Sequence, residues 1–354
     1  MNRLILIGNG FDLAHGLKTS YCHFISDYLD SVTKAFALNN EYEDVLMKIK
    51  MKHSYYTISG ENEIHNIADP LKRLEIIRQN SNILFSSKSN LFFNCLAKVN
   101  TMNWVDLENE YFDHLIKCKS PKGYIDTQVN LLNQQFEYLK TLLENYLLKH
   151  QNENDRSNSY NDRYTNIFIE NILKNDIVLK NMDNDIKPEH LLFLSFNYTI
   201  TADYYANRCG LAIPSNINYI HGELNDPSNP IIFGFGDEYD KNYLDFEELK
   251  NKELLRHIKS FGYFKTSNYH NLLRFLDASE FQVQIIGHSC GLSDRTMLKH
   301  IFEHENCLSI KIFYYQPDVN HNDFTDKTYD ISRHFTDKGL LRKKLVPFER
   351  SYPL

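Results

Sequence analysis

Residues 4–16, LILIGNGFDLAHG, decide the fold of this chain. Residues 4–7 form a continuous apolar run, which is typical of a strand buried on both faces of a parallel sheet. The run ends in a glycine turn that precedes a predicted helix, an arrangement in which nucleotide phosphates bind. The spacing is GxGxxxxxG rather than GxGxxG, so a tight turn without a ligand is the alternative. The candidate binding residues of this turn are Gly8, Asn9, Gly10 and Asp12.

Short apolar runs return after residue 190 and alternate with helix-like segments. Strands that alternate with helices indicate a mostly parallel sheet. Between residues 31 and 187, apolar residues recur mainly at spacings of three or four, which is typical of helices. We therefore predict one α/β, Rossmann-like domain over residues 1–354, with a large, mainly helical insertion at 31–187.

Two further apolar runs end in polar residues of candidate catalytic type. LLFLSFNYT (191–199) carries Asn197, and INYIHGEL (217–224) carries His221. The carboxyl ends of parallel strands meet at one edge of a sheet, where ligands bind. There Asn197 is placed to face a pocket, and His221 is placed to act as a general base. The alternatives are an asparagine that caps the next helix and a histidine with a structural role.

The segment FQVQIIGHSCGLSD (281–294) predicts a second strand followed by a glycine turn. Its candidate nucleotide-binding residues are Gly287, His288, Ser289 and Asp294. The same letters match GxSxG, the nucleophile elbow of serine hydrolases. In that alternative, Ser289 is the nucleophile, and the partners downstream are Asp318 or Asp330 and then His334.

Composition excludes several classes of protein. The net charge of -7 over 354 residues argues against attraction of the whole chain to nucleic acid. The six cysteines form no CxxC pair, so we expect reduced thiols and no metal. No apolar stretch reaches the ~18 residues of a membrane span, and the short apolar start is unlike a signal peptide. We therefore expect a cytoplasmic protein that does not contact the membrane.

Together, these motifs resemble the AbiH family of phage abortive-infection proteins. The matching stretches are ILIGNGFDLAHGLKTSYCHF at the start, WVDLE (104–108), LSFNYT, the HG at 221–222 and GHSCGLSD. That family in turn is similar to sirtuin-type NAD-binding proteins. The resemblance implies that the first turn holds the NAD phosphates, Asn197 lies near the nicotinamide ribose, His221 is catalytic, and Gly287 and Ser289 contact the adenosine half.

Two departures from sirtuins narrow the implied activity. Sirtuins usually carry an aspartate two residues after the asparagine, whereas this chain carries Thr199, and the cysteine zinc module of deacetylating sirtuins is absent. The resemblance therefore favours NAD cleavage to nicotinamide and ADP-ribose over deacetylation. The alternative is a nucleotide sensor without catalysis, whose helical insertion contacts a protein partner or a phage trigger. A homo-oligomer is compatible with either function.

Overall fold

The computed structural model describes residues 1–52, 67–101, 103–120, 123–153, 160–249 and 251–354. They form two compact units. One contains residues 1–17, 147–250 and 257–354, and the other contains residues 18–146 and 251–256. Among the described residues, no helix is both long enough and apolar enough to cross a bilayer.

The strands are numbered along the described chain. They are β1 (Asn2–Ile7), β2 (Glu41–Glu43), β3 (Met47–Met51), β4 (Ile83–Ser87), β5 (Lys119–Ser120), β6 (Gly123–Tyr124), β7 (Leu191–Ser195), β8 (Ser215–Tyr219), β9 (Phe281–Ile286), β10 (Cys307–Tyr314) and β11 (Tyr352–Pro353).

The α-helices of the described residues are numbered in the same way. They are α1 (Asn9–Ala14), α2 (Tyr21–Asn39), α3 (Pro70–Gln79), α4 (Asn90–Ala97), α5 (Trp104–Lys117), α6 (Asp126–Glu153), α7 (Asp162–Ile169), α8 (Thr201–Gly210), α9 (Lys241–Glu248), α10 (Lys259–Gly262), α11 (Asn268–Ala278), α12 (Arg295–Glu303), α13 (Phe324–Ser332) and α14 (Lys338–Lys344).

The first unit is built on a six-stranded sheet in the order β11-β10-β9-β1-β7-β8. Every neighbouring pair is parallel. At the carboxyl end of β1, Ile7 pairs with Ser195 on one side and Ile286 on the other. The chain adds β7 and β8 on one side of β1 and then crosses to β9 on the other. The point where the strand order reverses therefore lies beside β1, as in Rossmann-like folds.

Apolar side chains cover both faces of this sheet, which explains the unbroken apolar runs. Leu4 and Leu6 of β1 belong to one core cluster, which includes residues of α11 and α12. Ile5 and Ile7 belong to a second cluster, which includes residues of α7 and α8. The alternation of side chains along β1 thus supplies both layers. These features confirm the predicted α/β, Rossmann-like fold.

The second unit is mainly helical and also contains a small antiparallel sheet in the order β2-β3-β4. Helix α2 begins after Ser20, whose hydroxyl accepts a hydrogen bond from the backbone N–H of His23 at 3.2 Å. Strand β3, MKIKM, alternates buried and exposed residues. The helical content confirms the predicted helical insertion, and the sheet is an addition to that prediction.

Candidate functional site

The two predicted glycine turns pack directly against each other at the carboxyl edge of the sheet. The N–H of Gly10 donates to the carbonyl of Gly287 at 2.9 Å. A Cβ added to Gly8 would lie only 2.4 Å from Cα of His288. Gly287 has φ +66°, and a Cβ there would lie 2.2 Å from the backbone N of Phe11. The close contact between the two backbones therefore requires glycine at positions 8 and 287. The hydrogen bond to Gly287 also occupies the N–H of Gly10.

Asn197, just after strand β7, contacts the first glycine turn. Its side chain is buried, and Nδ2–H donates to the carbonyl of Gly8 at 3.0 Å. Helix α8 begins at Thr201, and the side chain of its N-cap residue, Ile200, makes no capping hydrogen bond. Asn197 therefore ties the loop after β7 to the first glycine turn rather than capping α8.

Asp12 is a buried residue of α1, directly after the first glycine turn. Only 1% of the residue is exposed, and Oδ2 accepts a hydrogen bond from the Thr199 hydroxyl at 2.6 Å. This contact fastens α1 to the segment between β7 and α8. Thr199 is thus the donor to a carboxylate on the facing turn.

His221 lies close to a buried carboxylate and a buried ammonium group. Its Nε2 is 3.2 Å from Asp294 Oδ1, and the same oxygen accepts from Lys259 Nζ at 2.7 Å. The Tyr263 hydroxyl is also 3.2 Å from His221 Nε2. His221 and Asp294 are each 4% exposed, and Lys259 is 2% exposed. The group is therefore shielded from bulk water.

His288 forms the second imidazole of this group. The Phe196 ring lies between the two histidines, with ring centroids 5.0 Å from His221 and 4.1 Å from His288. Nδ1 of His288 accepts from the backbone N–H of Cys290 at 3.0 Å, and Nε2 is 3.8 Å from Asp294 Oδ2. Asp294 thus faces both histidines through its two oxygens.

The charges of the group follow from burial and from one cation. Burial lowers the pKa of His221, and the Lys259 ammonium acts in the same direction. Burial also lowers the pKa of His288 to about 3. Burial opposes ionisation of Asp294, but Lys259 and the two histidines together hold its pKa well below the usual range. At neutral pH the group therefore contains a carboxylate, an ammonium and two neutral imidazoles.

This arrangement can perform acid–base chemistry. A carboxylate next to an imidazole fixes its orientation and stabilises the imidazolium that forms when it accepts a proton. A neutral histidine is the form that can accept that proton. His221 with Asp294 has this form, while Asn197 and the glycine turns lie at the same edge of the sheet. Among the described residues, no group of three or more metal-ligating side chains is placed to hold a metal ion.

The contacts of Ser289, His334 and Asp318 give the serine hydrolase alternative no support. Ser289 is partly exposed, and none of the hydrogen bonds found joins its hydroxyl to a histidine. His334 is directed elsewhere, since its Nε2–H donates to the carbonyl of Cys290 at 2.8 Å. Asp318 pairs with His321 at 2.8 Å. In the turn after β9, positive φ angles fall on Gly287 (+66°) and Cys290 (+55°) rather than on the serine.

Lys259 and Tyr263 are the site residues that sequence reasoning missed. They lie in and directly after α10, a helix of four residues. An element this short carries no periodic pattern that would mark its inward side. A lysine and a tyrosine surrounded by other polar and aromatic residues, in HIKSFGYFK, give no motif either.

Comparison with known proteins identifies the family. The model of the family described as bacteriophage abortive infection AbiH matches residues 4–316. No curated protein matches the chain at a significant level. The similarity to sirtuin-type NAD-binding proteins stays a prediction. Since the match includes both glycine turns, Asn197, His221 and Asp294 and most of the chain, this protein belongs to the AbiH family of bacteriophage abortive infection proteins.

Proposed function

We propose that this abortive infection protein acts against phage by cleaving NAD to nicotinamide and ADP-ribose. One observation supports the proposal above the others. Asn197 and the His221–Asp294 pair lie at the edge of the sheet that also carries both glycine turns. That edge, beside the point where the strand order reverses, is where nucleotides bind in open α/β sheets.

In the proposed complex, the nicotinamide ribose lies against Asn197 and His221. The pyrophosphate lies near the first turn, Gly8 to Asp12, and the adenosine half lies towards Gly287 and Ser289. The close packing of the two turns supports this placement, because one ligand could then contact both of them. No metal is needed for this reaction.

The proposed chemistry breaks the N-glycosidic bond of NAD. The bonding electron pair leaves with the ring nitrogen of nicotinamide, which becomes neutral, and the ribose passes through an oxocarbenium-like state. A water molecule then bonds to the anomeric carbon and gives its proton to His221. Asp294 stabilises the resulting imidazolium, and general base catalysis of this kind contributes about 10²–10⁴ in rate.

Incubation of the purified protein with NAD tests the proposal. Free nicotinamide and ADP-ribose should appear in equal amounts, and His221→Ala should abolish both. NAD-dependent thermal stabilisation without nicotinamide would indicate the alternative, a nucleotide sensor in the same defence system. Absence of both binding and cleavage, in the presence of phage lysate as a source of trigger, would contradict an NAD site altogether.

A further inference from the structure

We propose that Lys259 is a positioning residue for His221, because its ammonium group fixes the carboxylate that in turn fixes the histidine. The two contacts share one atom. Asp294 Oδ1 accepts from Lys259 Nζ at 2.7 Å and lies 3.2 Å from His221 Nε2. This role rests on the proposed function, in which His221 is the general base.

Contacts of both the main chain and the side chain hold Lys259 in place. The N–H of Lys259 donates to the carbonyl of Phe235 at 2.9 Å, and Nζ is also 3.5 Å from the Ser293 hydroxyl. A Cβ on Gly236 would lie 2.3 Å from the Ser293 carbonyl, so the segment that holds Lys259 also packs on the turn before Asp294. Lys259 and Asp294 therefore have a fixed separation, which a positioning residue requires.

Electrostatics explain why a buried carboxylate needs this partner. An isolated ionised carboxylate is costly to bury, and it becomes protonated unless a cation stabilises it. Lys259 is the first cause that holds the pKa of Asp294 down against burial. With the lysine, Asp294 stays ionised while His221 stays neutral and able to accept a proton. Without Lys259, protonated His221 is the nearest group that could supply a positive charge next to the Asp294 carboxylate.

Among the described residues, the titratable groups that face His221 come from three segments. Asp294 precedes α12, Lys259 and Tyr263 belong to the α10 segment, and His288 follows β9. Of these, Lys259 lowers the pKa of His221 and Asp294 raises it. Removing the lysine removes a lowering influence and leaves the carboxylate, so the pKa of His221 should rise.

The test measures the titration of His221 directly. Imidazole ¹⁵N chemical shifts of wild type and Lys259→Met are followed against pH, with the His221 signal assigned from its loss in His221→Gln. We expect the midpoint in Lys259→Met to rise by about one pH unit or more. Without the lysine, the negative charge of Asp294 is no longer offset, and an opposite charge this close shifts a pKa by about 1–3 units. Lys259→Gln, which keeps a donor for Asp294 but lacks the charge, should shift the midpoint in the same direction.

Lys311→Met is the matched control. Lys311 is also a buried lysine of the first unit, 2.9 Å from the carboxylate of Glu170, and it belongs to β10. It should leave the His221 midpoint unchanged. Equal midpoints in wild type, Lys259→Met and Lys259→Gln would overturn the proposal.

This readout does not depend on NAD. A shifted midpoint in a protein that cleaves no NAD would support the link from Lys259 to His221 and contradict the proposed function alone. If NAD is cleaved, the acid limb of the pH–rate profile should move to higher pH in Lys259→Met, since His221 must be neutral to act. An unshifted acid limb together with a large loss of rate would indicate a merely structural lysine and would contradict the inference.

Discussion

Replacement of Gly8 by alanine tests whether the two turns form one rigid structure. The new Cβ would lie 2.4 Å from Cα of His288 and 2.8 Å from the carbonyl oxygen of Gly287. Both neighbours are backbone atoms, so no side-chain rotation can relieve the contact, and the turns must separate by about 1 Å to restore ordinary van der Waals distances. Overpacking of this kind costs about 1–3 kcal/mol.

Separation of the turns would also stretch two hydrogen bonds. The Gly10–Gly287 hydrogen bond joins the two turns directly. The Asn197 side chain donates to Gly8, the substituted residue itself. Each net hydrogen bond contributes about 1 kcal/mol, so we expect a total loss of about 3–5 kcal/mol for Gly8→Ala. That is a large fraction of the ~5–15 kcal/mol by which a typical domain is stable.

Urea denaturation followed by circular dichroism measures this loss. Gly210→Ala is the control, because Gly210 ends α8 and no atom lies within 4 Å of its added Cβ. Alanine there should leave stability unchanged or raise it by up to about 1 kcal/mol, because alanine loses less backbone entropy than glycine in a helix. Equal free energies of unfolding for the two variants would refute the close packing of the turns.

Three further predictions concern the site. His288 has a pKa of about 3 in the folded protein, below the ordinary histidine value, so the unfolded chain binds its proton first as the pH falls. The stability from this group is therefore complete above about pH 6.5 and is lost towards pH 3, at up to about 1.4 kcal/mol per pH unit. His288→Gln should flatten this part of a plot of unfolding free energy against pH, and an unchanged slope would contradict burial of the neutral ring. Ser289→Ala should retain most NAD cleavage, whereas covalent labelling of Ser289 by a fluorophosphonate with loss of activity would favour a serine hydrolase. Asn197→Ala combined with His221→Ala should be scarcely less active than either single variant, because residues that act as a unit are not additive; multiplied losses would show that they act separately.

The fold could be predicted from the sequence because its central strands are buried on both faces. The runs at residues 4–7 and 191–194 have no alternation, which is typical of parallel strands covered by helices. FQVQII (281–286) carries two glutamines, yet every residue of that strand is buried. The small sheet of the second unit was missed, although MKIKM at 47–51 alternates in the manner of a strand with one buried face. A strand pattern of only five residues, between longer segments with helical spacing, does not outweigh the prediction of a mainly helical insertion.

The site could be predicted only where strand ends mark it. Asn197 and His221 follow apolar runs, and parallel topology alone brings such ends to one edge. Lys259 could not be predicted in this way, since it reaches Asp294 from a short helix outside the sheet. The partner of Asp12 was also unpredictable, because the contact with Thr199 depends on how α1 packs against the loop after β7.

NAD cleavage at His221 during defence can be measured as the loss of NAD in phage-infected bacteria. Cells expressing wild type, His221→Ala or His321→Ala are compared, the last as a control because His321 is exposed and pairs only locally with Asp318. NAD cleavage at His221 predicts that infection depletes NAD and releases nicotinamide and ADP-ribose in cells with wild type or His321→Ala, and not in cells with His221→Ala. Arrest of infection by wild type with NAD unchanged, or equal depletion with His221→Ala, would contradict it.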